Sequence, residues 1–165
     1  MQRTPTQLTA YLPDESATLQ LGAALSRALV PGLVIYLHGD LGAGKTALTR
    51  ALLHAAGHPG HVKSPTYTLA EPYTVQLAGE QVEVVHFDLY RMSSEEEFLD
   101  AGFREYFNHR TVCIIEWPEK AGAVLPPPDI NIFLTVHGEG RHVELQALSQ
   151  HGSLCLERLH FAPNL

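Results

Sequence analysis

A chain of 165 residues, 45 % hydrophobic and 18 % charged, is long enough for one domain with a full core and too short for two ordinary ones, so residues 1–165 read as a single domain. Its formal net charge of -7, from 11 Lys and Arg against 18 Asp and Glu, argues against a protein that grips nucleic acid through its own broad basic face. No stretch approaches the ~18 apolar residues of a membrane span, the start Met1–Gln7 lacks an apolar core of signal-peptide length, and the expected setting is the cytoplasm without a membrane.

Pro13-Asp14-Glu15 begins the first helix, with Asp14 as the expected N-cap. Ala17, Leu21, Ala24, Leu25 and Ala28 form its buried stripe until Pro31-Gly32 ends it. The short unbroken apolar run Leu33-Val34-Ile35-Tyr36-Leu37 has the character of a fully buried strand. It leads into Gly39-Asp40-Leu41-Gly42-Ala43-Gly44-Lys45-Thr46, which satisfies the phosphate-loop pattern Gly-x-x-x-x-Gly-Lys-[Ser/Thr] at every fixed position. Gly39, Gly42 and Gly44 free the backbone so that successive N–H groups can turn toward anionic oxygens. Lys45 would bring a positive charge to the β- and γ-phosphates, and Thr46 a hydroxyl to Mg²⁺. The helix that starts here aims its positive end at the same phosphates. Leu48, Ala51, Leu52 and Ala55 recur at helical spacing, and Gly57 and Pro59 mark its end. That interruption also argues against a metal site on His54, His58 and His61.

Val62-Lys63-Ser64-Pro65-Thr66-Tyr67-Thr68-Leu69 is hydroxyl-rich and held extended by Pro65. It reads either as a polar loop or edge strand, or as a switch segment that senses the γ-phosphate or Mg²⁺. Tyr73, Val75 and Leu77 alternate, Ala78-Gly79-Glu80 turns, and Val82 to Asp88 returns, giving a β-hairpin whose second arm carries His86 and Asp88 on one face. Ser93 and Glu96 suit a capping box for a short acidic helix with Phe98 and Leu99 inward and Gly102 as its stop.

Thr111-Val112-Cys113-Ile114-Ile115-Glu116-Trp117 is a second fully apolar strand, and like the arm before it ends on a carboxylate. An acid at the end of a strand beside the loop-bearing strand can hold or orient Mg²⁺ and water. Asp88 and Glu116 are therefore catalytic candidates together with Lys45. Cys113 and Cys155 read as ordinary thiols. Pro126-Pro127-Pro128 is a rigid connector. Ile130, Ile132, Leu134 and Val136 then alternate, Gly138-Glu139-Gly140 turns, and Val143, Leu145 and Ala147 return as a second hairpin. The segment Leu154 to Phe161 is too irregular to assign.

Four stretches together resemble the TsaE family, small bacterial P-loop ATPases needed to make threonylcarbamoyladenosine on tRNA. They are Gly39 to Thr46, Val62 to Leu69, His86-Phe87-Asp88-Leu89-Tyr90-Arg91 and Ile115-Glu116-Trp117-Pro118, in the family's order and spread over Leu12 to Leu148. The resemblance implies a three-layer α/β fold of the P-loop NTPase type, with a sheet parallel at its centre and antiparallel at its flanks. It implies binding of ATP or ADP with Mg²⁺, and work with TsaD and TsaB, so that tRNA is met only indirectly. Carried over by motif, Gly39, Asp40, Leu41, Gly42, Ala43, Gly44, Lys45 and Thr46 make the nucleotide cradle, Thr46 and Glu116 the metal ligands, and Asp88 a polar group required for turnover. Trp117 is implied at the nucleotide or partner face.

Two other classes share the phosphate loop. A small-molecule kinase would suit Asp88-Leu89-Tyr90-Arg91, yet the chain has no arginine-rich lid for a second phosphate group. A GTP-dependent switch module would need a guanine-reading Asn-Lys-x-Asp, and Asn108, Asn131 and Asn164 offer none.

Overall fold

The computed structural model describes residues 6–159. Its centre is a seven-stranded sheet formed by β1 (Gln7–Leu12), β2 (Val34–His38), β3 (Ala70–Leu77), β4 (Glu80–Asp88), β5 (Thr111–Glu116), β6 (Ile130–His137) and β7 (Gly140–Ala147). The spatial order is β1-β7-β6-β2-β5-β4-β3. β6, β2, β5 and β4 run parallel, whereas β3 on one side and β7 and β1 on the other pair antiparallel. This is the sheet that the family resemblance implies.

The helices are α1 (Glu15–Ala28), α2 (Lys45–Ala55), α3 (Glu95–Asp100) and α4 (Gln150–Glu157). Asp14 caps α1 by accepting from the Ala17 N–H at 3.0 Å. Leu21 and Leu25 of α1 and Leu48 and Leu52 of α2 pack with Ile35, Leu37, Ile114 and Ile132 on one face of the sheet. The other face carries Phe87, Phe98, Phe103, Cys113 and Ile115 in a separate cluster under α3 and the short 3₁₀ turns beyond it. All six residues of β5 are buried, as expected for a strand with parallel neighbours and covered on both faces. Each fully buried Leu, Ile or Phe contributes about 1.5–3 kcal/mol relative to exposure, so the two clusters fix where the strand ends lie.

Gly22 sets the distance between α1 and α2. A Cβ there would stand 2.5 Å from the Ala51 Cβ and 2.8 Å from the Ala51 carbonyl carbon, so only hydrogen fits. Asp129 registers β2 against β6: its carboxylate accepts from the Val34 N–H at 2.8 Å and its own N–H donates to the Val34 carbonyl at 2.8 Å.

Several elements differ from their sequence reading. β1 is an unanticipated edge strand in which only Ala10 and Leu12 are buried, too weak an alternation to stand out. Within α2, Ala55 is exposed and Leu53 is buried in its place. The expected capping box does not form: Ser94 is the N-cap and makes no side-chain bond to the helix, while the Glu97 carboxylate, not that of Glu96, accepts from the Ser93 N–H at 3.0 Å and from the Ser93 hydroxyl. Those two bonds hold the Glu97 carboxyl below its ordinary range. Leu99 and Val136 face outward, 39 % and 54 % exposed, because neither has a layer to pack on. Part of the unassigned tail is α4, capped by Ser149, whose hydroxyl accepts from the Gly152 N–H at 3.0 Å and donates to Asp129 at 2.7 Å. Residues 1–5 and 160–165, and with them most of Met1–Gln7 and the end of the segment to Phe161, lie outside the described residues. Among the described residues no helix is long and apolar enough to cross a membrane. Cys113 and Cys155 are free, and burial pushes their thiols up to about 12 and about 11.

Candidate functional site

β2 ends at His38 and the chain turns at once into the glycine loop, which closes with the Ala43 N–H donating to the Asp40 carbonyl at 3.0 Å. Gly39 passes so close to β6 that a Cβ would lie 2.6 Å from the Leu134 carbonyl oxygen. Gly44, at φ 105°, is the N-cap of α2 and offers no side chain to it, which leaves the first N–H groups of the helix open to an anion.

A cleft of about 590 Å³ opens over this loop, lined by Gly42, Gly44, Lys45, Thr46, Asp88, Glu116 and Trp117 among others. Sheet register brings the two carboxylates together: β4 and β5 run parallel, and Asp88 stands directly beside Glu116. β5 in turn neighbours β2, with Leu37 paired to Glu116. The acids at two strand ends therefore meet the loop that leaves the third. Gly39, Asp40 and Ala43 are not in the cleft wall. Gly39 contributes its carbonyl, Asp40 is exposed, and the Ala43 methyl is buried in the core.

Thr46 Oγ1 donates to Glu116 Oε2 at 3.0 Å, and His86 Nε2 lies 2.6 Å from the same oxygen. Glu116 is only 3 % exposed and His86 is fully buried. Asp88 accepts from the Tyr90 N–H at 3.1 Å. Burial raises its carboxyl above the ordinary range, and the charge on Glu116 adds to that. The Lys45 ammonium donates to the Gly39 carbonyl at 2.5 Å and sits 3.9 Å from the centre of the Trp117 ring. Burial lowers its pKa, and the charges on Glu116 and Asp88 oppose that shift.

Trp117 directly follows β5 in a left-handed conformation, φ 58° and ψ 50°, which costs a side-chain-bearing residue about 1–2 kcal/mol. That turn lays its ring over Lys45 and 5.0 Å from the Tyr90 ring. The hydroxyl-rich segment is a loop and not an edge strand; Ser64 and Thr66 reach the cleft, and Leu69 closes it at φ 68° by donating to the Pro65 carbonyl. Tyr67, next to the cleft residue Thr66, stands 82 % exposed with the guanidinium of Arg91, itself a cleft residue, 4.6 Å from its ring.

Arg141 is the cleft residue that sequence reasoning missed. From β7 it donates through Nε to the Ala43 carbonyl at 3.0 Å and through Nη2 to the Gly42 carbonyl at 3.2 Å, bracing the glycine loop from outside. A lone arginine after a hairpin turn carries no local signal of this. His54 and His58 each place Nε2 on a carbonyl, that of Gly60 at 3.0 Å and that of His61 at 3.4 Å.

The donor set fits a hard divalent cation. Thr46 and Glu116 offer a hydroxyl and a carboxylate side by side, few enough protein oxygens to suit Mg²⁺, which takes one or two carboxylates and fills its shell with phosphate and water oxygens.

The family model described as "Threonylcarbamoyl adenosine biosynthesis protein TsaE" matches residues 12–143. The chain belongs to the TsaE family. It is 44 % identical over 150 residues to the tRNA threonylcarbamoyladenosine biosynthesis protein TsaE of Haemophilus influenzae, covering 88 % of this chain and 92 % of that one. It is 33 % identical over 155 residues to the protein of the same name from Bacillus subtilis, covering 93 % and 92 %. The crystal structure of YdiB from Bacillus subtilis superposes with a TM-score of 0.71 at 27 % identity, covering 93 % of each chain. The matched span of the family model takes in the glycine loop, both carboxylates, Trp117 and Arg141.

Proposed function

We propose that this protein is a P-loop ATPase that serves the formation of threonylcarbamoyladenosine on tRNA in the cytoplasm, acting with TsaD and TsaB. The observation that carries the chemistry is the 3.0 Å hydrogen bond between Thr46 and Glu116 beside an uncapped helix start. The pathway comes from the family.

In this reading the N–H groups of Gly42, Gly44, Lys45 and Thr46 take the phosphate oxygens while that of Ala43 stays on the Asp40 carbonyl, and Lys45 leaves the Gly39 carbonyl for the β- and γ-phosphates. Thr46 and Glu116 hold Mg²⁺, which would neutralise charge on the phosphate oxygens when bound. Asp88 orients the attacking water or the segment Ser64 to Thr68, and stays out of the metal's direct ligand set. Trp117 and Tyr90 make the wall that the γ-phosphate end approaches. Because positioning and electrostatics supply most phosphoryl-transfer catalysis, no covalent role is needed from the protein.

The partner reading is supported by charge and surface. With a net charge of -7 the protein has little to offer an RNA backbone. Leu41 and Tyr67 stand 66 % and 82 % exposed beside the cleft, apolar surface suited to a protein partner that senses the nucleotide. The test is ATP hydrolysis by the purified protein with and without TsaD and TsaB. A rate that rises with the partners is expected; a fast, partner-independent transfer of phosphate to a small molecule would instead make it a kinase.

A further inference from the structure

Among the described residues one buried side-chain polar atom lacks any partner, and it is Nδ1 of His86. The ring is fully buried on β4, two residues after Val84, which is also fully buried and lies on the same strand face. An orphaned buried nitrogen costs about 1–3 kcal/mol, and an apolar residue such as that at Val84 would avoid the cost. Packing alone thus does not account for a histidine here. What the ring supplies is its other nitrogen, 2.6 Å from Glu116 Oε2.

A carboxylate oxygen brings only lone pairs, so Nε2 must be the donor. Thr46 Oγ1 donates to the same oxygen. Two donors converging on Oε2 fix the carboxyl plane of a residue that also forms part of the cleft wall, and they leave Oε1 as its uncommitted oxygen among the described residues. Thr46 alone would hold Glu116 poorly once its hydroxyl oxygen is also wanted by an ion. We propose that His86 is a positioning residue: by donating through Nε2 to Glu116 it aims that carboxylate at the divalent cation, without touching cation or nucleotide. The inference rests on the Mg²⁺ reading given above. It gives a task to a residue that none of the nucleotide-binding roles employ.

The test compares two amides at His86. In His86→Gln the side-chain nitrogen can reach the position of Nε2; in His86→Asn the shorter amide stops near Nδ1 and falls short of Glu116. Each protein is titrated with a non-hydrolysable ATP analogue in Mg²⁺ and again in EDTA, and the ratio of the two Kd values is the readout, alongside a thermal melt. We expect His86→Asn to lose about 10–100-fold of that ratio, as loss of a ligand's outer partner usually does, with its EDTA affinity unchanged. His86→Gln should keep most of it. Equal ratios in the two variants, whether retained or lost, overturn the proposal, and so does unfolding of both, which would make His86 a packing residue. If the wild-type protein itself gains no affinity from Mg²⁺, it is the cation reading that fails, an outcome plainly different from a wild-type gain that His86→Asn leaves intact.

Discussion

The ammonium of Lys45 rests 3.9 Å from the centre of the Trp117 ring and donates to the Gly39 carbonyl, so the residue expected to meet phosphate is held by the protein's own groups. A cation over an indole is worth about 0.5–2 kcal/mol, small enough for a bound polyphosphate to outcompete. Trp117 is the chain's sole tryptophan. Its emission is therefore expected to change saturably as ATP or ADP draws Lys45 away, and the change should vanish in Lys45→Met. Emission indifferent to saturating nucleotide would mean that the contact persists in the bound state.

Lys45→Ala should lower ATP hydrolysis by about 100-fold or more, since a positioned cation acts on charge that develops in the transition state. The fold should survive, because burial already works against this ammonium and lowers its pKa. Turnover measured beside a thermal melt decides it: near-wild-type rates in a folded variant would remove Lys45 from the chemistry.

The adjacent carboxylates should separate by role. Glu116→Ala is expected to weaken Mg²⁺-dependent nucleotide binding, and Asp88→Ala to lower turnover with binding mostly kept. Titration with Mg·ADP distinguishes them, and the opposite pattern would exchange the two assignments.

Asp88 also carries a pH signature. Its carboxyl is raised above the ordinary range by burial and by Glu116, so the ionised form favours the unfolded chain. Its contribution to stability is full below the unfolded pKa and is lost as pH rises through the higher folded value. Asp88→Asn keeps an acceptor for the Tyr90 N–H and should melt about 1–3 °C higher at pH 7. The gain should fade as pH falls through the raised folded pKa and be gone below about pH 4, where the wild-type carboxyl is protonated in both states. A lower melting temperature at pH 7 would show that the charge is compensated.

Gly22→Ala tests the spacing of the helix that carries Lys45 and Thr46. Alanine favours a helix by about 1 kcal/mol, but its methyl would meet Ala51 at 2.5 Å and backbone at 2.8 Å. Overpacking against backbone costs about 1–3 kcal/mol or more, so the melting temperature should fall by several degrees. An unchanged value would show that α1 and α2 can separate cheaply.

Isolated protein should bind labelled tRNA only in the non-specific range, at roughly 10⁻⁴–10⁻⁶ M near physiological salt, with ATP and Mg²⁺ making little difference. Submicromolar binding without partners would restore direct RNA recognition.

The sequence alone determined the features that follow from local chemistry. The glycine loop, the Asp14 cap, the buried runs of β2 and β5 and the two hairpins are written in spacing and residue type, because each is formed by neighbours a few positions apart. The same holds for both carboxylates, since a strand that ends on an acid announces it. Tertiary structure alone decided what those groups touch. That Glu116 shares one oxygen with Thr46, 70 residues away, and with His86, 30 residues away, depends on β5 lying between β2 and β4. Arg141 bracing a loop 98 and 99 residues earlier has no local trace. The weak elements β1 and α4 likewise form because the sheet edge and the Asp129–Ser149 contact receive them. Local patterns specify elements, whereas the order of strands, set by how whole faces are buried, specifies which side chains become neighbours.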